Sequence, residues 1–351
     1  MNDSPLFDRV LFRDPVTSAP LEPIIAARTP SGVPICGALR VSGTRTGYPI
    51  VDCVARLTPE LARRHASWLT SFALTPAGGP GEGAGGFQPE STVDSFGWQW
   101  TWNSAMRSDA DLRMRVAERF GLTPESFAGQ RVLDAGAGAG DQSRYLVDHG
   151  AAVVSVDLSS AIDVVARKLR LSSNWVGVQA DITALPFAAS QFDAVYCEGV
   201  IQHTRDSRRT VEELVRVTRA GGRILATHYV LRPPATASHR MRRRLTSAYY
   251  GFLRRRLGAL DRYSLLLATG NLAALSYVPL LGRVVTRTGT ALRYDLMPDF
   301  KTTWTNTFDY WGQHEFQRFA TPEQFRDYFT GTGCVDLART GDGVVVAVKR
   351  A

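Results

Sequence analysis

The stretch VLDAGAGAGDQ, Val132 to Gln142, sets three glycines, Gly136, Gly138 and Gly140, directly after a short apolar run. Bare backbone at the end of a strand lets a ligand approach the main chain, while the N–H groups of a following helix face its polar end. Two acids close apolar runs further on, Asp157 in VVSVDLS and Asp181 in QADITALPF, each with an apolar neighbour, Leu158 and Ile182. A carboxylate in such a place accepts two hydrogen bonds from a ligand. The segment EGVIQHT then brings Glu198 and His203 close together, and His228 and Tyr229 follow a later apolar run. Histidine has the pKa of a general base near neutrality. His203 with Glu198 is the first candidate for that role, His228 with Tyr229 the second, and His314 in YWGQHEF the third.

These residues need a scaffold that gathers strand ends. From about residue 130 the apolar runs RVLDAG, AVVSVDL, WVGVQADI, FDAVYCEGV and RILATHYV alternate with segments of helical spacing such as DQSRYLVDHG and SRRTVEELVRVTRAGG. That rhythm predicts an α/β fold with a doubly wound, mostly parallel sheet and right-handed crossovers. At the C-terminus, TPEQFRDYFTGTG reads as a helix capped by Thr321 with Pro322 at its first position. CVDLART, GDG and VVVAVKR then form an antiparallel pair that brings the sheet to seven strands. Upstream, residues 1–75 form a small β-rich module, in which GYPIVDCVARL at 47–57 is the clearest strand and TPELARRHASWLTSF is helical. Residues 76–128 hold a glycine-rich linker and an aromatic segment, residues 129–230 the core, residues 231–320 a helical cap insertion, and residues 321–351 the end of the core.

Composition bounds the rest. With 351 residues, 44% apolar and 21% charged, the chain can bury a substantial core. The N-terminus lacks the basic start, apolar core and cleavage site of a leader, and the four cysteines form no CxxC pair, so a reducing, cytoplasmic setting and no metal site are expected. Between Arg232 and Arg262 nine arginines face one acid, Asp261, a local excess of 9 − 1 = +8. A coat for nucleic acid would spread its charge more widely, so nucleic acid is not the expected partner. From Tyr263 to Gly282 twenty residues carry no charge, but Gly270, Asn271 and Pro279 argue for an apolar cap helix over a membrane span.

The glycine spacing separates two families of ligand. A dinucleotide loop needs GxGxxG, and Asp141 stands where its third glycine belongs. GxGxG after Asp134 instead resembles the class I S-adenosylmethionine-dependent methyltransferases, a Rossmann-like family that includes the ubiquinone and menaquinone methyltransferases. LPF, FDAVYCEGVIQHT and GGRIL follow in that family's order. The resemblance covers about 130–230 and implies S-adenosyl-L-methionine as cofactor. It assigns Asp157 to the ribose hydroxyls and Asp181 to the adenine amine, with Gly136, Ala137, Gly138, Gly140, Leu158, Ile182 and Glu198 lining the donor site. Asp134 either orients the loop or meets the donor's amino group. Phe96, Trp98, Trp100 and Trp102 share one face of an extended segment; they pack over the sheet edge or form a lid that brings Trp100 to the donor. Phe187 and Phe192 read as core. Residues 1–75 resemble, more weakly, the zinc-ribbon-like domain that accompanies such enzymes. The four ligand positions hold Asp14, Thr17, Val41 and Thr44, so no metal is expected.

Without an (N/D)PPY box or a Pro-Cys nucleophile, methylation of DNA bases is set aside, and Cys197 reads as a small buried residue. The expected reaction is methyl transfer to a small molecule such as a natural product, lipid or sugar intermediate, with oxygen favoured as acceptor. RNA methylation, and a cyclisation or isomerisation that uses the sulfonium only as scaffold, stay open. The arginine-rich cap has three readings: a pocket for a hydrophobic or anionic small molecule, a face for an acidic carrier protein or membrane surface, or a solvated face. Nothing in the sequence fixes an oligomeric state.

Overall fold

Every apolar run that ends in a candidate acid is a strand in the computed structural model, which describes residues 4–78, 97, 107–231, 237–287, 291–292, 300–312, 318–341 and 343–350. The strands are β1 (Leu21–Arg28), β2 (Pro34–Val41), β3 (Thr46–Val51), β4 (Val54–Arg56), β5 (Thr75–Pro76), β6 (Arg131–Ala135), β7 (Ala152–Asp157), β8 (Trp175–Gln179), β9 (Phe192–Cys197), β10 (Thr218–Thr227), β11 (Cys334–Gly341) and β12 (Val344–Lys349). They form one twelve-stranded sheet in the order β1-β2-β3-β4-β8-β7-β6-β9-β10-β12-β11, with β5 paired to β3. The seven expected strands, β6 to β12, are contiguous. β6 lies between β7 and β9 and is parallel to both, and only the last pairs, β10 with β12 and β12 with β11, are antiparallel. The chain winds outward from β6 to β8, then returns to β9 and β10 on the other side. The crevice beyond the carboxyl ends of β6 and β9 is therefore a topological switch point, where such sheets bind ligands.

Beyond the expected seven, the N-terminal strands extend the sheet. Val54 to Arg56 of β4 run parallel to Gly177 to Gln179 of β8, so the sheet continues without a break from the N-terminal segment into the core. The expected single strand 47–57 is instead a hairpin, because Asp52 and Cys53 both take positive φ, 52° and 66°, and turn β3 back into β4. Two left-handed residues make the turn that fits the twist of a hairpin; asparagine and glycine usually fill them, so this one carries no sequence signal. The stretch read as one helix breaks at His65 into Pro59–Arg64 and Ala66–Thr70. Hydrogen bonds engage three of the four positions that align with metal ligands, Asp14, Thr17 and Thr44. The Asp14 carboxylate accepts from the hydroxyls of Thr17 at 2.6 Å and Tyr48 at 2.7 Å, and Thr44 donates to the Val41 carbonyl at 2.9 Å.

Helices cover the parallel strands: α1 (Asp109–Leu112, continued by a π turn over Arg113–Glu118), α2 (Asp141–Asp148), α3 (Ala161–Leu169) and α4 (Ser207–Val217). β7 and β8 are buried along almost their whole length, which is why they read as unbroken apolar runs. Phe187 and Phe192 lie in this core as expected.

Met1–Leu231 with Phe316–Ala351 form one compact unit and Arg232–Glu315 another. The second unit holds α5 (Ala237–Gly258), α6 (Arg262–Leu275), α7 (Leu281–Arg287) and α8 (Phe300–Trp311). Its core is aromatic: Trp304 donates to the Leu266 carbonyl at 2.9 Å, and the rings of Tyr250 and Trp311 lie 5.8 Å apart. Among the described residues no helix is long and apolar enough to cross a membrane. A final helix, α9 (Pro322–Asp327), starts in a capping box between Thr321 and Gln324 before β11.

Candidate functional site

The loop leaving β6 needs its glycines. Gly136, Gly138 and Gly140 have φ of +86°, +51° and +79°, a region that L side chains rarely adopt. The N–H groups of Gly136 and Ala137 donate to the Val156 carbonyl at 2.7 and 2.9 Å, clamping the loop to the end of β7. Gly140 then caps α2, whose first residue is Asp141. The Asp141 carboxylate accepts from the Arg107 N–H at 3.1 Å and lies 3.4 Å from the Lys168 ammonium. A fixed negative charge at this helix N-terminus opposes a pyrophosphate, in keeping with the GxGxG spacing.

The acids after β7 and β8 are held differently. Asp157 accepts from the Gly138 N–H at 2.9 Å and from the Ser159 N–H and hydroxyl at 2.8 and 2.7 Å. Asp157 and the glycine loop thus form one hydrogen-bonded unit. Asp181 accepts from the Thr183 N–H and hydroxyl through Oδ1, both at 2.8 Å, while its buried Oδ2 has no partner among the described residues. Burial raises the pKa of both carboxyls, opposed by these bonds. Their neighbours serve the frame: the Leu158 carbonyl accepts from the Gln179 amide at 3.0 Å, and the buried Ile182 opens a 3₁₀ turn.

Asp134 sits deeper. Its Oδ2 accepts from Ser143 at 2.6 Å, Ser143 lies 2.7 Å from Ser155, and Trp175 donates to Ser155 at 2.9 Å. Burial pushes its pKa up to about 7, with Ser143 pulling the other way and Asp157 and Glu198 adding to the rise. In the unfolded chain this carboxyl titrates near 3.8, so the stability it lends is complete below that pH and is lost as the pH rises through about 7. Asp134→Asn keeps an acceptor for Ser143 without the charge. Its melting temperature is expected to gain on the unsubstituted chain between pH 4.5 and 7.5, by a change equivalent to about 3 kcal/mol. Parallel pH curves for the two proteins would show that Asp134 does not titrate in this range.

Glu198 is engaged by charge. Its Oε2 accepts from the Tyr196 hydroxyl at 2.6 Å, and its Oε1 receives Arg119 and, at 3.3 Å, Arg115. Burial alone would raise its pKa, but Tyr196, Arg115, Arg119 and the more distant Arg107 together hold it below the usual carboxylate value. A carboxylate so held is a poor proton acceptor and a good anchor for arginines. Those arginines escaped the sequence reading. Arg107, Asp111, Arg115 and Arg119 recur every four residues, a helix-face pattern that was visible in RSDADLRMRVAERF, but their target lies 79–83 residues away for the last two.

Of the histidines, His228 faces inward. Its Nδ1 lies 2.9 Å from the Tyr229 carbonyl, its Nε2 lies 3.3 Å from the Ser207 hydroxyl, and burial lowers its pKa. His203 is buried on the turn after β9, with its ring edge-on to Tyr229 at 5.5 Å, and Tyr229 stacks on Phe319. Beside it Gln202 is fully buried, and neither atom of its amide has a partner among the described residues. Burial pushes the Cys197 thiol up, away from any role as nucleophile. Trp100 with Phe96, Trp98 and Trp102, and His314, lie outside the described residues; of the aromatic segment only Gly97 is described, packed against Ser160 before α3.

Residues 133–226 match the family described as methyltransferase domain. A malonyl-[acyl-carrier protein] O-methyltransferase of Enterobacter lignolyticus is 41% identical over 120 residues, 34% of this chain and 44% of that protein. A demethylmenaquinone methyltransferase of Renibacterium salmoninarum is 33% identical over 117 residues, 33% and 47% of the two chains. The chain thus spans about half the length of the curated relatives it matches. Among solved structures, magnesium protoporphyrin IX methyltransferase from Synechocystis is 18% identical over 72% of this chain and 84% of that one, at a TM-score of 0.37. Residues 133–226 are therefore similar to a methyltransferase domain, and both relatives are named as methyltransferases.

Proposed function

We propose that this chain transfers a methyl group from S-adenosylmethionine to a small-molecule acceptor, with oxygen favoured as the accepting atom. The observation that carries the reading is the buried, unpartnered Oδ2 of Asp181. It stands one strand from Asp157 and two from the glycine loop, in the order β8, β7, β6. Strands lie about 4.8 Å apart, so the three sites span about 10 Å, the reach of an adenosine. Asp181 would accept from the adenine amine, Asp157 would exchange its backbone donors for the ribose hydroxyls, and the glycine loop would admit the amino-acid end. When bound, the cofactor supplies an electrophilic methyl group on a sulfonium.

The chain's own task is to align the acceptor and take its proton. His203, on the turn after β9, is the residue proposed to take it, with Tyr229 beside it and the unpartnered Gln202 amide available to an acceptor's polar group. Glu198 is proposed to anchor the arginines of α1 at the amino-acid end of the donor site rather than to act as a base. Relatives named for malonyl-acyl carrier protein and demethylmenaquinone support an acceptor other than nucleic acid.

Calorimetric titration of the full chain tests the reading. S-adenosylmethionine and S-adenosylhomocysteine are expected to bind and NAD is not; folded protein that ignores both sulfur ligands would end it. Asp157→Ala is expected to weaken donor binding by about tenfold to a hundredfold, because a charged acceptor of two hydroxyls is removed. Unchanged affinity would take the ribose away from Asp157.

A further inference from the structure

The unit Arg232–Glu315 carries the net charge of the whole protein. It holds 13 basic and 5 acidic residues, 13 − 5 = +8, and the remaining sequence has 41 − 13 = 28 basic against 33 − 5 = 28 acidic residues. The same unit exposes large apolar side chains on α6 and the turn after it. Leu267 is 67% exposed, Leu280 77% and Leu281 52%, with Val278 also exposed. Their neighbours explain why they point outward. The face of α6 opposite Leu267 carries the buried Leu265, Thr269 and Ala273, and beside it Trp304 of α8 meets Gly270 so closely that a Cβ there would lie 2.9 Å from its ring. Leu280 takes φ +67° in the turn Tyr277–Leu281, whose Tyr277 packs on α8 through the Thr303 hydroxyl at 3.0 Å and the Phe300 ring, while Val278, Leu280 and Leu281 stay exposed.

Positive charge reaches this apolar surface at Arg283. Arg283 lines a cleft of about 520 Å³ with Tyr277, Val278 and Leu280, and on α5 the Arg256 guanidinium stacks over the exposed Phe252 ring at 5.4 Å. Positive charge alone would suit an acidic protein. Solvent-facing leucines on a turn beside an arginine suit a bilayer interface, where apolar side chains enter the acyl boundary and arginines meet anionic headgroups. Among the described residues no helix can cross a bilayer, so the contact is interfacial.

We propose that this unit docks the protein on anionic membrane surfaces, with Val278, Leu280 and Leu281 entering the lipid and the arginines of the unit holding the headgroups. The proposal stands independently of the methyl-transfer reading, because it concerns a surface of the second unit alone.

The test is sedimentation of the full chain with vesicles of phosphatidylcholine alone or with about one third phosphatidylglycerol. Binding to the anionic vesicles is expected, with little to the neutral ones, and it weakens as salt is raised. The double variant Leu280→Glu with Leu281→Glu, with circular dichroism and thermal melting unchanged, is expected to lower the partition coefficient by about tenfold or more. Absence of binding to anionic vesicles would overturn the proposal. So would binding that the two glutamates leave intact, which would mean adsorption by charge alone. An acidic acyl carrier protein that binds the chain, while vesicles do not, would assign the surface to a protein instead.

Discussion

Gly136→Ala is expected to abolish measurable donor binding, a loss of about a hundredfold or more, and to destabilise the fold by about 2–4 kcal/mol. Two effects add at this position. The residue has φ of +86°, where a Cβ strains the backbone, and that Cβ would lie 2.2 Å from Cγ2 of Val200 on the turn that carries His203. Relief requires the loop or the turn to move. A moving loop breaks the Gly136 and Ala137 bonds to the Val156 carbonyl and, with them, the link from Gly138 to Asp157. Isothermal titration and thermal melting read the two effects separately. Pairing the change with Val200→Ala removes the clash and leaves the strain, so the double variant should recover part of the stability and little of the binding. Wild-type affinity in Gly136→Ala would mean that the loop is not the donor site.

How much of this was legible in the sequence follows from how local each signal is. The glycines are legible because positive φ is a demand on single residues, and the parallel strands because burial on both faces leaves unbroken apolar runs. Asp157 and Asp181 stand at strand ends, so their position follows from strand assignment. What sequence patterns do not carry is pairing across long separations. β4 is three residues long, and nothing in Val54–Arg56 announces that it will lie beside β8 and lengthen the sheet. Glu198 reads as a free carboxylate until Arg115 and Arg119 arrive from α1. His228 reads as a candidate base until its ring nitrogens are seen to face the Tyr229 carbonyl and Ser207. Sequence places a titratable residue at a strand end; only packing decides whether its polar atoms are already taken.

His203→Ala is expected to lower kcat by about a hundredfold to a thousandfold while donor affinity stays within about twofold. Position carries the expectation: His203 is buried on the turn after β9, beside the switch-point crevice, with its ring edge-on to Tyr229, whereas arginines hold Glu198 ionised. A merely structural His203 would also lower activity when removed, so the loss alone does not decide. Truncation leaves a space beside Tyr229 that can admit a small base. Added imidazole is expected to restore part of the turnover if the missing group takes a proton, and to do nothing if the ring only packed the turn. Tyr229→Phe serves as the companion variant, since it keeps the aromatic contact and removes the hydroxyl. Full activity in His203→Ala, or a loss that imidazole leaves untouched and that appears with weakened donor binding, would return His203 to the framework. The acceptor would then have to lose its proton to solvent before methyl transfer, as a hydroxyl acidic enough to ionise near neutral pH does.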